Sequence, residues 1–498
     1  MNDLRDARRA RRVICAMALA AGLSLLAGAC VVGPDFKRPV PPTVGTYLPP
    51  EPAASRAEGP APPESPADVA QRVELGRQIP ARWWELFRCP RLDDTLREAI
   101  AASNTLAAAR ATLAQAQEEV TAARAALYPQ LDLGAGARRG KAGTGAPANA
   151  FSLGPTAGFS LDAFGGTRRR VEQAAALADD QRYQLAAAYL TLTGDAVTTA
   201  IAIASTRLQI ATVEDLIKND QKNLSLVERE FNAGKVARSE VLTAAAQLEG
   251  DRTQLPSLHQ QLSVSRHALA VLAGKAPAEW SPPDFEVAEF TLPDVLPASL
   301  PSELVRQRPD ILAAEAQLHA DSAAIGVATA QLYPSITLSA SLVQESMALA
   351  RLLAAASRTW SAGASLDAPL YRGGALAAQR RAAVDAYDAQ LAVYRQTILQ
   401  AFGQVADVLS ALEHDAELVS ASRRALDIAA SSLALQRSSY AAGKTSALQL
   451  IVAENTYSEA RLGNVRAVSQ RLADTAQLFI AVGGAWWNDS ASAPPPPP

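Results

Sequence analysis

The chain repeats itself, and the repeat limits what it can fold into more than any other feature. Leu127-Tyr128-Pro129-Gln130-Leu131-Asp132-Leu133 returns 205 residues later as Leu332-Tyr333-Pro334-Ser335-Ile336-Thr337-Leu338, and the same offset carries Leu161-Asp162 onto Leu366-Asp367. The glycine pairs Gly165-Gly166 and Gly373-Gly374 follow, then Ala233-Gly234-Lys235 and Ala442-Gly443-Lys444. Collinear matches with preserved spacing imply two copies of one structural unit. A Pro-rich segment from Ala276 to Pro301 joins them. One duplicated architecture thus replaces the roughly three domains that 498 residues would otherwise suggest.

Within each copy the hydrophobic period changes in a fixed order. Helical spacing up to Leu127 stops at Pro129, because proline excludes the residue before it from the helical region. Alternation follows. Phe151, Leu153, Ala157, Phe159 and Leu161 share one side of a strand, and Ser152, Gly154, Thr156, Gly158, Ser160 and Asp162 share the other. In the second copy Ile336, Leu338, Ala340 and Leu342 oppose Thr337, Ser339 and Ser341, and Trp360, Ala362, Ala364, Leu366 and Leu370 oppose Ser361, Gly363, Ser365 and Asp367. The expected strands cover about 129–138, 151–163, 334–343 and 359–371. Their length suits a tilted membrane-crossing strand of roughly 9–11 residues, although a half-buried soluble hairpin has the same alternation. The polar side holds Ser, Thr, Gly and Asp with no Lys or Glu, which suits a crowded lumen better than an open face. Four strands cannot close a barrel, since known ones start at about eight. If these strands cross a membrane, several chains share one barrel.

Each glycine pair is followed by a helical stretch without proline, from Gly166 to Ala233 and from Gly374 to Ala442. At 1.5 Å per residue each reaches about 100 Å, more than an ordinary globular core needs. Leu185, Tyr189, Leu192, Val197 and Ile201 fall three to five apart, as in helix packed on helix. Gly234 and Gly443 then allow a turn, with Ser239 and Ser446 as expected N-caps of returning helices that end near Ala273 and Ile480.

The N-terminus reads as an address. Arg5, Arg8, Arg9, Arg11 and Arg12 precede an apolar run, Val13 to Ala29, that ends in small residues before Cys30. This is the pattern of a secretory signal peptide with Cys30 as the acylated first residue, although Ala27 stands where a lipoprotein box prefers Leu. As the only long apolar run, it excludes a polytopic helical membrane protein. Removal of the leader leaves Cys89 as the one thiol besides Cys30, so no intramolecular disulfide forms. His259, His267, His319 and His414 are scattered on helical stretches without partners at ligand spacing. No metal set, nucleotide loop or nucleophile-base pairing is present, so neither an enzyme nor a cofactor is expected. With 47 basic and 50 acidic residues, nothing offers a grip on nucleic acid.

The residues resemble those of the TolC-like outer-membrane efflux proteins, and within them the NodT-type lipoproteins of RND efflux systems. Cys30-Val31-Val32-Gly33-Pro34-Asp35-Phe36-Lys37-Arg38-Pro39 is similar to that branch's opening signature. Trp83-Trp84-Glu85-Leu86-Phe87 resembles its next block, and Leu304-Val305-Arg306-Gln307-Arg308-Pro309-Asp310-Ile311 its internal one. The likeness runs from Cys30 to about Trp487. It implies a mainly α fold with a small transmembrane β-barrel: a homotrimer in which four strands per chain make a twelve-stranded barrel, and long helical hairpins form a periplasmic tunnel. The expected organisation is a signal peptide (1–29), a Pro-rich segment after the lipidated Cys30 (30–82), a first repeat (83–275), a linker (276–301), a second repeat (302–487) and a disordered Pro-rich tail (488–498). The Arg308-Pro309-Asp310 block is expected to be structural, with Pro309 and Asp310 at a helix start.

The resemblance also implies a passive exit duct for drugs or other small molecules in the outer membrane. Its partners would be an inner-membrane RND pump, a periplasmic adaptor and outer-membrane lipid. In relatives the second hairpin pinches the pore, and acidic residues after its turn line the constriction. Here Gln449 and Val452 stand at those places, with Tyr440 before the turn and Glu240 as the first-copy equivalent of Gln449. Tyr440, Gln449 and Val452 are the candidate gate, against the alternative that they only pack the hairpin. Gly234, Lys235, Arg238, Gly443 and Lys444 are candidate adaptor-contact tips. Two rival readings remain open: a duct of the same fold for a type I protein secretion system, and a periplasmic coiled-coil adaptor or scaffold without a barrel.

Overall fold

The computed structural model describes residues 31–40, 42, 44–47, 71–77, 79–141 and 146–484. The expected signal peptide, Cys30, most of the Pro-rich segment and the expected tail lie outside them. In chain order the elements are β1 (Arg72–Leu75), a 3-10 turn (Trp83–Phe87), α1 (Pro90–Ala102), α2 (Asn104–Ala125), β2 (Gln130–Gly140), β3 (Ala148–Leu161), α3 (Gly166–Asn232), α4 (Arg238–Arg252) and α5 (Gln254–Leu272). There follow β4 (Val295–Ala298), α6 (Pro301–Gln307), α7 (Pro309–Ala330), β5 (Ser335–Ser346), β6 (Arg358–Asp367), α8 (Ala375–Ala441) and α9 (Ala447–Ala481). The fold is mainly helical, and α3 and α8 have 67 residues each. The chain divides into two compact units, one of residues 1–40, 111–183 and 313–396 and the other of the remainder.

The first unit holds an antiparallel four-stranded sheet in the order β2-β3-β5-β6. Its register sets Leu131 against Ala157, Phe159 against Leu338, and Leu338 against Ala364. Since alternate residues of a strand share a face, Leu131, Leu133, Phe159, Leu161, Leu338, Leu342, Trp360 and Leu366 form one apolar face across all four strands. That face is open: Leu131, Leu133 and Trp360 are 74%, 75% and 75% exposed. The opposite face, expected to hold Asp but no Lys or Glu, does carry a Glu: β5 runs on to Ser346, which brings Glu345 onto it, and Arg138 of β2 lies on the same face.

Pro155 sits in an inner strand, where proline is normally excluded. It is accommodated because the β3–β5 pairing lapses at Gly154 and Pro155. There the Gly154 backbone lies so close to β5 that a Cβ would be 2.2 Å from the Leu342 carbonyl oxygen. Beyond the strand ends Phe164 stacks on Tyr333 at 4.7 Å.

Residues 31–40 form a strap on the same unit. The Val32 N–H donates to the Phe164 carbonyl. The Arg169 guanidinium, 5% exposed, donates to the carbonyls of Val32 and Gly33 and pairs with Asp35 and Glu172. Phe36 stacks on His319 at 4.4 Å, and Arg38 pairs with Glu315. His319 is therefore more than a helix-face residue: its Nε2 lies 3.0 Å from Glu172, a partner 147 positions away that sequence spacing could not reveal.

In the second unit Trp83, Trp84 and Phe87 are almost fully buried, with Trp83 stacked on Phe479 and Phe87 edge-on to Phe290. β1, from the N-terminal segment, pairs in parallel with β4, from the linker. Pro309 opens α7 with Asp310 in its first turn. Arg308 grips Asp310, donates to Gln404 and donates to the Ala481 carbonyl at the end of α9. The return helices differ. α9 is continuous, whereas the expected single helix of the first copy breaks at Thr253 into α4 and α5. Pro256 explains the break, because it lacks an N–H and its ring collides with the carbonyl four residues earlier. Ser239 is not an N-cap; that position belongs to Ala237, with no side-chain bond. α3 also contains an apolar 18-residue window beyond the one long run expected, and half of it is buried.

Gly154→Val is expected to displace β5 and to lower sharply the amount of protease-resistant protein recovered. Gly158→Val, where a Cβ meets open space, is expected to leave it unchanged. Limited proteolysis of the two variants checks this.

Candidate functional site

The second unit carries both helical turns. At the first, Gly234 has φ 73°, its N–H donates to the Phe231 carbonyl, and the Lys235 N–H reaches back to Glu230 at 2.9 Å. At the second, Gly443 has φ 67°, its N–H donates to the Tyr440 carbonyl, and the Lys444 N–H reaches Ser439 at 2.9 Å. Both are Schellman turns, which is why the repeat keeps Gly-Lys: only glycine takes the left-handed position without strain. Gly234, Lys235, Arg238, Gly443 and Lys444 are all exposed.

The three gate candidates have separate surroundings. Val452 is 57% exposed. Gln449 completes a capping box: its backbone N–H donates to the Ser446 hydroxyl, and its side-chain oxygen accepts from the Ser446 N–H and from the Thr445 hydroxyl. The sequence Ser446-Ala447-Leu448-Gln449 already has the form of such a box, and that signal went unread. Tyr440 packs with Tyr457 against Leu433, Leu450 and Ala453. Its hydroxyl is buried without a hydrogen bond of standard geometry. Burial first, then the Glu230 carboxylate at the margin of hydrogen-bond contact, then the charge of Glu240 raise its proton affinity. Tyr440 from the second copy thus faces two acids of the first.

Further along the hairpins lies a buried polar layer that sequence reasoning missed. Asp220 on α3, Asp251 on α4 and Glu454 on α9 are each at most 6% exposed. Asn223 and Arg437 donate to Glu454, and Gln247 and Gln254 donate to Asp251. Asn455 donates in turn to Gln247. Asp220 Oδ2 has no donor. Two carboxylates are both acceptors, so Asp220 and Asp251 close a hydrogen bond only when one is protonated. Burial first, then that bond, then the charges of Asp251 and Glu454 push Asp220 up to about 8. A second pair repeats the arrangement: burial and the neighbouring Asp474 push Asp415 up to about 7, although Arg471 and His414 oppose the shift. No sequence pattern marks these pairs, because their members lie on different helices, 31 and 59 residues apart.

Beside the acidic layer, a groove of about 410 Å3 separates the copies. Asp215, Lys218 and Lys222 line it from α3, Arg437 from α8, and Tyr457 and Arg461 from α9. Arg461 pairs with Asp215 at 3.4 Å. No cluster of three metal-ligating side chains occurs among the described residues. Cys89 is buried at the start of α1, and burial pushes its thiol up, away from the reactive thiolate.

An open sheet with one apolar face in the first unit and paired helical hairpins with matching turns in the second suit a channel protein. The family model for outer membrane efflux proteins matches the chain twice, over residues 95–275 and 300–484. The chain is 31% identical over 417 residues to the pyoverdine export outer membrane protein OpmQ of Pseudomonas aeruginosa, covering 81% of this chain and 87% of that one. It is 28% identical over 474 residues to nodulation protein T of Rhizobium leguminosarum bv. trifolii, covering 93% and 96%. The solved structure of the outer-membrane channel OprN superposes with a TM-score of 0.82 at 25% identity, over 92% of this chain and all of that one. The chain belongs to the outer membrane efflux protein family. It is an outer-membrane efflux channel, and its work is transport rather than catalysis.

The acid pair sets a pH dependence of stability. Asp220 titrates near 3.9 when unfolded and up to about 8 when folded. Its contribution is therefore complete below the unfolded value and is lost as pH rises through about 8. Asp220→Asn is expected to remove this loss, raising the melting temperature at pH 8.5 by about 2–4 °C while leaving it nearly unchanged at pH 4. Thermal unfolding at the two pH values checks this; equal shifts at both would place the Asp220 proton elsewhere.

Proposed function

We propose that the chain is the duct of a tripartite efflux system, a homotrimer that passes drugs or other small molecules delivered by an inner-membrane RND pump through a periplasmic adaptor. The observation that carries this reading is the sheet. It has a register-continuous apolar face and two long edge strands, β2 and β6, whose outer backbone groups pair with no strand among the described residues. In lipid such edges must be satisfied, and a closed barrel does so. β2 and β6 run antiparallel, so β6 of one chain can pair with β2 of the next, and three chains then supply twelve strands.

The domain reading follows: a cleaved leader at 1–29, a lipid on Cys30, two channel repeats at 83–275 and 302–487 around the linker 276–301, and a tail at 488–498. The strap directly after Cys30 rests beside Phe164, which would hold the lipid anchor near the membrane end of the strands. The turns at Gly234-Lys235 and Gly443-Lys444 form the periplasmic tips. Exposed Lys235, Arg238 and Lys444 suit contact with an adaptor.

Heat-modifiable, SDS-resistant trimers in the outer-membrane fraction are expected. A soluble monomer after leader cleavage would overturn the reading and favour the barrel-free scaffold.

At the tips Tyr440 is the principal gate residue, supported by its hydroxyl facing Glu230 and Glu240. Gln449 lines the constriction while holding its cap. In planar bilayers Tyr440→Ala is expected to raise single-channel conductance, and Gln449→Asp to shift selectivity toward cations. Unchanged selectivity would remove Gln449 from the constriction.

A further inference from the structure

On the apolar face of the sheet the two edge strands end alike. Along β2 the residues of that face are Leu131, Leu133, Ala135 and Ala137, and the next is Arg139. Along β6 they are Leu366, Ala364, Ala362 and Trp360, and the next is Arg358. The register confirms the face, since Arg139 pairs with Asn149 and Arg358 with Gln344, both continuing the apolar rows of β3 and β5. On the inner strands the matching places are therefore uncharged.

The connecting loops extend the charge. Residues 138–158 and 344–358 hold Arg138, Arg139, Lys141, Arg351 and Arg358 against the single acid Glu345. Glu345 pairs with Ser152, so it lies on the opposite face and does not offset Arg139 or Arg358. All five cations are exposed, and none has an ion pair among the described residues. Close to Arg351 the loop also exposes Met347, Leu349 and Leu353, at 74%, 65% and 77%. The strand ends on the helix side differ: there Asp132, Asp162 and Asp367 supply the acids, with Asp162 held by Arg168 and Asp367 paired with Arg372 at 3.9 Å.

We propose that Arg139 and Arg358 form a binding site for the phosphate groups of an outer-leaflet glycolipid. This inference rests on the trimeric-barrel reading, under which β6 of one chain adjoins β2 of the next. Each seam then sets Arg358 and Arg139 on neighbouring strands, facing the lipid. The apolar run from Leu131 to Arg139 measures about 26 Å along the strand, so after tilting the arginines reach the level of the headgroups. Guanidinium groups match phosphate oxygens in paired, charge-assisted hydrogen bonds. The neighbouring Met347, Leu349 and Leu353 suit an amphiphile with acyl chains better than free phosphate. Two edge arginines shared across a seam also bind lipid where the barrel depends on contacts between chains.

The test uses the trimer purified from outer membranes in mild detergent, compared with Arg139→Gln/Arg358→Gln and with Arg138→Gln, which lies on the lumen face. Co-purified phosphorylated glycolipid is quantified by mass spectrometry. Each trimer is then titrated in nanodiscs with bisphosphorylated lipid A, dephosphorylated lipid A and inorganic phosphate. The double variant is expected to retain at least about fivefold less glycolipid, the scale of one lost charge-assisted contact, while Arg138→Gln matches the parent. The parent is expected to prefer bisphosphorylated over dephosphorylated lipid A. Equal retention by parent and double variant, or equal binding of the two lipids, would overturn the proposal. Displacement of lipid A by millimolar inorganic phosphate would do so as well, by assigning the site to the free anion. Should the double variant fail to assemble, the parent's preference between the two lipids and the single variant Arg358→Gln decide. Absence of any trimer in the parent would instead overturn the barrel reading.

Discussion

The backbone along the outer edges of β2 and β6 is the constraint on which the rest depends. These strands have 11 and 10 residues, and each leaves one row of N–H and C=O groups unpaired by any strand among the described residues. A soluble protein blunts such an edge with lysines, proline or a bulge. Here neither edge strand has proline or lysine, and the arginines of both strands stand at the loop ends. The apolar face beside these edges is open as well. Under the trimeric-barrel proposal another chain completes such a sheet, which would make assembly part of the fold.

Much of this was legible in the sequence because it rests on local period and on the duplication. The switch from helical spacing to alternation at Tyr128-Pro129, and again at Tyr333-Pro334, follows from what proline does to its neighbour. The Gly-Lys turns were legible for a similar reason, since a left-handed residue after a long helix selects glycine. What was not legible depends on pairing between distant segments. The approach of Gly154 to Leu342, the partnership of His319 with Glu172 and the acid pair Asp220–Asp251 each join elements that no periodicity connects. Pro256 is a separate case. The break at Thr253 was readable from that one residue, but the overall helical pattern obscured it.

The buried acids show why polar groups persist inside a helical bundle. Glu454 is satisfied by Asn223 and Arg437, and Asp251 by Gln247 and Gln254, so each has donors from more than one position. Asp220 Oδ2 is without a donor, and burial beside Asp251 favours the form that shares a proton with it. A buried layer that holds a proton fixes the pairing of α3, α4 and α9 more narrowly than apolar packing would. It also makes that pairing sensitive to pH, the cost of using two acceptors where one donor would have sufficed.

The two copies are alike in backbone at their turns and differ in what they place around them. Phe231 and Glu240 in the first copy correspond to Tyr440 and Gln449 in the second. The hydroxyl is on one copy and the acid on the other, so the polar contact at the tips runs between copies. If Tyr and Glu had stayed together in each copy, each hairpin could have satisfied itself, and nothing polar would tie one tip to the other. Gln449 completes the exchange. Its amide keeps the capping box with Ser446, which an acid at that position would also do, but it adds no charge to the second tip. The negative charge facing Tyr440 therefore comes only from Glu230 and Glu240. Under the proposed gate, a movement that separates the two turns would take the Tyr440 hydroxyl away from those carboxylates.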